Sequence, residues 1–133
     1  MSWKWVDQQA LLLLHGESLA EHGGGEGIRD QGLLESALAR PKNLDMYGQP
    51  DFADLAASYG YGLAKNHAFV DGNKRASFLA VGLFLYLNGY QLRAAQADAT
   101  LTVLALASSD ITEAEFATWI RQHAVQKVGK SNT

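Results

Sequence analysis

The sequence contains no cysteine. That excludes a disulfide framework, a thiolate nucleophile and any thiolate metal site. It contains only two prolines, and with its many Ala and Leu residues this favours helices over a sandwich of short strands. Charge is sparse: 19% of residues are charged against 47% hydrophobic, too apolar a balance for intrinsic disorder. Excess positive charge is lacking too. The net charge is −3, whereas a broad nucleic-acid footprint shows as a basic domain. This argues against a ribonuclease and against direct nucleic-acid binding, although one local basic cluster remains able to hold phosphate. No long apolar run is present. Phe78 to Leu87 is ten residues, against the roughly 20 needed to span a bilayer, and reads as a core helix. Met1 to Trp5 has no features of a signal peptide, so the expected compartment is the cytoplasm. The 133 residues suit one domain with its own core, expected over residues 1–126, with a polar tail from Lys127 to Thr133 expected to fray.

The pattern predicts an all-α bundle of about six helices around a central apolar helix. The first runs from an N-cap at Asp7 to about Glu21, with Leu11 to Leu14 and Leu19 forming its stripe, and stops at Gly23-Gly24-Gly25. The second is expected over Gln31 to Ala39, capped by Asp30 and ended by Pro41, with an irregular loop from Lys42 to Pro50. A third spans about Asp51 to Asn66. There Ala56, Ala57, Gly60, Gly62 and Ala64 would let neighbours approach closely, although Gly60 and Gly62 each weaken the helix by roughly 1 kcal/mol. The fourth, from about Asn73 to Asn88, is apolar almost all round and is the expected central helix. A fifth is expected from about Asp98. The sixth opens on Thr112-Glu113-Ala114-Glu115, a capping box, with Phe116, Trp119 and Ile120 inward. Tyr90 to Arg93 reads as a short extended piece without an evident partner strand. Trp3, Trp5, Tyr47 and Phe52 are either peripheral core or the lining of a partner groove.

One stretch concentrates chemistry: His67-Ala68-Phe69-Val70-Asp71-Gly72-Asn73-Lys74-Arg75. It lies between two apolar helices, where the second begins. A helix N-terminus offers unpaired N–H groups and a partial positive charge, hence an anion site. Lys74 and Arg75 in that first turn oppose the helix dipole, which an anion would relieve. Each residue also has a bland reading. His67 suits a loop, Asp71 or Asn73 a helix cap, Lys74 and Arg75 a solvated turn, and Phe69 the core. Together they suit transfer of a phosphate-containing group. Histidine titrates near neutral pH and can take a proton from a hydroxyl. Asp71 is a hard oxygen ligand for Mg²⁺. Gly72 permits close backbone approach, and Asn73, Lys74 and Arg75 can hold phosphate, Arg75 bidentately.

These nine residues resemble the signature of the Fic/Doc superfamily, His-x-Phe-x-(Asp/Glu)-(Gly/Ala)-Asn-(Gly/Lys)-Arg, and are most similar to its death-on-curing (Doc) branch. Gly23 to Ala37 is similar to that branch's Gly-rich loop and following helix. With Leu87-Asn88-Gly89, the similarity covers most of residues 6 to 123. Fic nucleotidyl transferases usually have Gly at the position of Lys74 and a second Arg at the position of Phe78. Lys74 fills space that a diphosphate would use, and Phe78 removes a phosphate contact.

Doc-like proteins share both features. The resemblance therefore implies a toxin of a toxin–antitoxin system that is a Mg²⁺- and ATP-dependent protein kinase. It would present the γ-phosphate to a threonine of elongation factor Tu and arrest translation. His67 would be the base, Asp71 the Mg²⁺ ligand, and Gly72, Asn73, Lys74 and Arg75 the phosphate-binding residues. The implied partner is a Phd-like antitoxin whose C-terminal segment fills a groove of the toxin. Two other readings remain: a Fic-type AMP or UMP transferase, and a non-catalytic binding module. Gly23-Gly24-Gly25 lacks the spacing of a phosphate loop and reads as a hinge or a wall of the peptide groove.

Overall fold

Short polar side chains start most of the helices. The computed structural model describes residues 2–127. Among them, α1 (Gln8–His22) begins after Asp7, whose carboxylate accepts from the Ala10 N–H, and α2 (Gln31–Tyr47) begins after Asp30, which accepts from Leu33. α3 (Phe52–Asn66) opens on a reciprocal capping box between Asp51 and Asp54. α6 (Glu113–His123) opens on the expected box between Thr112 and Glu115. Each such cap satisfies backbone donors that the helix itself leaves unpaired. α4 (Asn73–Leu87) and α5 (Gln96–Ala107) have no side-chain cap. Two short strands, β1 (Tyr90–Leu92) and β2 (Ala124–Gln126), complete the order. The architecture is all-α.

The central helix is α3 rather than α4. Ten of its 15 residues are buried, against six of 15 in α4. Its Ala and Gly residues allow α2, α4, α5 and α6 to pack around it. A Cβ on Gly60 would stand 2.6 Å from Phe116 Cε2, and one on Gly62 would stand 3.3 Å from Ala37. Ser77 of α4 donates to the Gly60 carbonyl at 2.7 Å, which satisfies a buried hydroxyl at this crossing. Tyr59, Phe69, Phe84 and Phe116 are the largest fully buried side chains. The Tyr59 hydroxyl accepts from the Val6 N–H at 2.9 Å, and burial pushes its phenol up to about 12.

Pro41 does not end α2. It is buried inside the helix, which continues to Tyr47 across much of the expected loop. Proline deprives the Ala37 carbonyl of its helical partner, at about 3 kcal/mol for an isolated helix. Tertiary packing offsets this. Ala37 packs on Gly62, and Arg40, one residue before the proline, forms a bidentate pair with Glu113 of α6 at 2.8 and 2.9 Å.

α5 starts at Gln96, two residues ahead of Asp98, which sits in its first turn and accepts from the Trp119 indole at 3.3 Å. The extended piece at Tyr90 does have a partner. β1 and β2 pair antiparallel, Tyr90 opposite Gln126 and Leu92 opposite Ala124. Trp3 and Trp5 lie against Phe84, and Phe52 stacks on Tyr90 at 3.9 Å, so these three are peripheral core rather than groove lining. Tyr47 is exposed. Of the tail, Lys127 is bonded to the Gly89 and Tyr86 carbonyls. The remainder of the expected frayed segment lies outside the described residues. No helix among the described residues is long and apolar enough to cross a membrane.

Candidate active site

α3 ends at His67, which adopts a left-handed conformation (φ 52°, ψ 49°) and so turns the chain sharply out of the helix. The guanidinium of Arg29 holds this end, donating to the His67 carbonyl at 2.7 Å and to the Asn66 carbonyl at 3.3 Å. The next residues dive inward. Ala68 and Phe69 are buried, and Phe69 forms an isolated antiparallel bridge with Ile28. The Ala68 carbonyl accepts from the N–H groups of Arg29 and Asp30, and the Val70 N–H donates to Gly27. Residues 27–30 thus run beside the motif loop and brace it.

The sequence offers Asn73 as a phosphate ligand or a cap. Its carboxamide is turned back on the loop: Oδ1 accepts from the Phe69 N–H at 2.9 Å and Nδ2 donates to the Phe69 carbonyl at 3.1 Å. Its side chain therefore fixes the loop's shape. Asp71 is not the N-cap of α4. That position belongs to Gly72, in the left-handed region at φ 72°. The Asp71 carboxylate instead accepts from Gly72 N at 2.8 Å through Oδ1 and from Gly25 N at 3.3 Å through Oδ2. The Gly-rich segment consequently backs Asp71. A Cβ on Gly24 would approach Asp71 Oδ2 to 3.1 Å, and its φ of 127° favours glycine in any case.

The structure brings the motif's polar residues to one cleft. His67, Asp71, Gly72, Asn73, Lys74 and Arg75, with Val70, line a space of about 450 Å³. Among the described residues neither Lys74 nor Arg75 has a hydrogen-bonding or ionic partner. The first-turn N–H groups of α4 have no side-chain acceptor, so donors and cations face the same opening. Two further spaces adjoin it. One, of about 540 Å³, runs from His67 and Lys74 along Leu101 and Leu104 of α5. The other, of about 610 Å³, lies between α1, α4 and α5 and is lined by Lys74, Arg75, Phe78, Leu79, Glu17 and Glu21, among others. Lys74 borders all three.

Asp71 suits a Mg²⁺ ion that arrives with phosphates. It is exposed, two backbone N–H groups orient its carboxylate, and each oxygen keeps acceptor capacity. Among the described residues no group of three or more His, Asp or Glu side chains forms a cage. Mg²⁺ commonly needs none, since one or two carboxylates, water and substrate phosphates complete its shell.

One site residue was not legible as such. His15 of α1 is buried, its ring lies 4.2 Å from that of Phe69, and its Nε2 is bonded to the Asp71 carbonyl at 3.0 Å. Burial lowers its pKa, the bond to Asp71 opposes this, and the nearby Arg75 charge lowers it further. The available signal was a lone imidazole within the leucine-rich stripe of α1.

Comparison with known proteins bears on this geometry. A sequence model described as the Fic/DOC family matches residues 5–85, more than half of the chain. This chain belongs to the Fic/DOC family. The matched region of this Fic/DOC protein covers α1, α2, α3, the whole motif loop and all but the last two residues of α4. A relative named Toxin Doc, from Mycolicibacterium smegmatis (strain ATCC 700084 / mc(2)155), is 47% identical over 76 residues. That alignment covers 54% of this chain and 57% of the relative, so it spans little more than half of either.

Proposed function

We propose that this chain is a Doc-like toxin that transfers the γ-phosphoryl group of ATP to a threonine hydroxyl of a translation factor, elongation factor Tu, and so arrests translation. The observation that carries the reading is the content of the first two turns of α4. Lys74, Arg75 and the first-turn N–H groups of α4 present cations and donors to the cleft, while Phe78, one turn on, lines an apolar wall instead of offering a second arginine. The groups able to hold phosphate line the same cleft as His67. This suits delivery of a terminal phosphoryl group better than burial of a whole diphosphate. The resemblance of the motif to the Doc branch, and the relative named Toxin Doc, support the same reading.

In this mechanism His67 takes the proton of the target hydroxyl. The hydroxyl oxygen attacks the γ-phosphorus, the bond from that phosphorus to the β–γ bridging oxygen breaks, and ADP leaves with the electron pair. Lys74, Arg75 and the first-turn N–H groups of α4 hold phosphate oxygens. Asp71 would hold Mg²⁺, which when bound would offset phosphate charge. Asn73 keeps the loop in shape through Phe69. The adjoining space between α1, α4 and α5 has an apolar floor and both acidic and basic rims, and takes the C-terminal segment of a Phd-like antitoxin in the helix-in-groove manner. A translation-factor target places the activity in the cytoplasm.

The test mixes the purified chain with Mg²⁺, cell extract and ATP labelled on either the γ- or the α-phosphate, with His67→Ala as control. Label from the γ position alone, on one protein band identified by mass, is the expected result. Label from the α position would replace this reading with nucleotidyl transfer. No label from either, with the chain folded and free of antitoxin, would leave a binding module.

A further inference from the structure

The Asp71–Gly72 peptide plane is held at both of its polar ends. Its carbonyl points inward and accepts from His15 Nε2 at 3.0 Å, and its N–H points outward to the Asp71 carboxylate at 2.8 Å. In a trans peptide these two groups point in opposite directions. Anchoring the carbonyl in the interior therefore fixes the direction of the N–H, and with it the oxygen of Asp71 that it binds. The His15 ring also lies directly under Gly72, where an added Cβ would stand 2.8 Å from Cε1. No other bond to the Asp71 carbonyl is made among the described residues.

His15 occupies this position at a cost. It is 3% exposed, and its Nδ1 is buried without a hydrogen-bond partner. An unpaired buried acceptor is destabilising, and a leucine of similar volume would avoid it. With the ring neutral, Nε2 carries the hydrogen and donates to Asp71, while Nδ1 keeps the idle lone pair. Beside its packing on the Phe69 ring, what the imidazole adds over leucine is this one hydrogen bond to the motif loop.

We infer that His15 is a positioning residue: through Nε2–H it locks the Asp71–Gly72 peptide, so that the Asp71 carboxylate and the N-terminal N–H groups of α4 stay aimed at a bound nucleotide. This rests on the phosphotransfer reading for its consequence, but not for its geometry. His15 reaches neither substrate nor His67 and acts only through the loop.

The experiment compares the wild-type full chain with His15→Leu, which keeps volume and removes the donor, and His15→Gln, whose amide offers an N–H at a similar reach. Two quantities are read: the ¹⁵N relaxation order parameter of the Gly72 amide, and γ-label transfer as a function of Mg²⁺ at saturating ATP. Imidazole ¹⁵N shifts of the wild type are expected to report the neutral Nε2–H tautomer. In His15→Leu the Gly72 order parameter is expected to fall from about 0.85 to below about 0.6. Turnover should fall at least about tenfold, within the roughly 100-fold that a misplacement of about 1 Å can cost, and the Mg²⁺ midpoint should rise. His15→Gln should recover both. Three results overturn the inference: a folded His15→Leu with a rigid Gly72 and an unchanged Mg²⁺ titration; lost order with unchanged transfer; or a folded His15→Gln no better than His15→Leu. Should the wild type transfer no label at all, the phosphotransfer reading fails, while the order parameters still decide whether His15 holds the loop.

Discussion

In the proposed mechanism His67 has a chemical task, and in the fold it has a conformational one. Its φ of 52° is a conformation that non-glycine residues seldom adopt, with asparagine, aspartate and histidine the more tolerant exceptions. The two tasks separate by substitution. His67→Asn keeps a residue suited to the left-handed turn but removes the base. It should leave the melting temperature within about 2 °C of wild type and cut γ-phosphoryl transfer by at least about 100-fold, the lower end of what a general base contributes. A thermal melt and the labelling assay check the two halves. Retained transfer would remove His67 from the mechanism. The histidine's chemistry was legible because its motif is contiguous. Its second role as the stop of α3 was not, since a left-handed residue is a property of the backbone path. His15 was illegible for a related reason: 56 residues separate it from Asp71, and only the packing of α1 brings them together.

At the scale of elements, glycines with the same propensity cost have opposite meanings. Gly60 stands where α3 meets α4 and α6, and a methyl group there would approach Phe116 Cε2 to 2.6 Å and Val81 Cγ2 to 3.0 Å. Gly16, on the exposed side of α1, has nothing within 4 Å of its would-be Cβ. Gly60→Ala should therefore destabilise by about 1–3 kcal/mol through overpacking. Gly16→Ala should stabilise by about 0.5–1 kcal/mol through helix propensity. Urea titrations of both variants measure this, and equal signs would contradict the packing argument. The sequence marked the small residues of α3 as a close-approach surface, and that surface is the centre of the fold. It did not mark the continuation of α2 through Pro41, because the local penalty is outweighed by contacts to Gly62 and Glu113 that no local pattern contains. Nor did it show the partner of Tyr90. Three-residue strands are too short for alternation to register, and β2 follows α6 without a break.

Across the whole molecule, the arginine–carboxylate ties and the motif's charged residues sit on different elements. Arg40–Glu113 joins α2 to α6, and Arg121 of α6 binds both Asp51 and Asp54 at the start of α3. The motif instead has Lys74 and Arg75 unpaired among the described residues, and is held by backbone bonds, Arg29, Asn73 and His15. Acid should therefore weaken the fold through the arginine–carboxylate ties. The Arg121 guanidinium holds the Asp51 carboxyl below its ordinary value of 3.8, with help from the Asp54 N–H and against partial burial. A carboxyl depressed in the folded state stabilises fully above its unfolded value, and that contribution disappears as pH falls through the folded value. Asp51→Asn isolates the charge, because the D51N side chain still accepts the Asp54 N–H as a cap. The partners are 44% and 42% exposed, so solvent screens the pair and it contributes about 0.2–1 kcal/mol. Wild type should therefore melt about 1–3 °C above Asp51→Asn at pH 6 to 7, and this gap should close as pH falls from about 4 to about 2. Arg121→Met should erase the gap at every pH, because it removes the charge that Asp51 answers. A gap that persisted unchanged at pH 2 would mean that it does not come from the carboxylate's charge, and one that survived Arg121→Met would mean that the charge acts on the start of α3 rather than on Arg121.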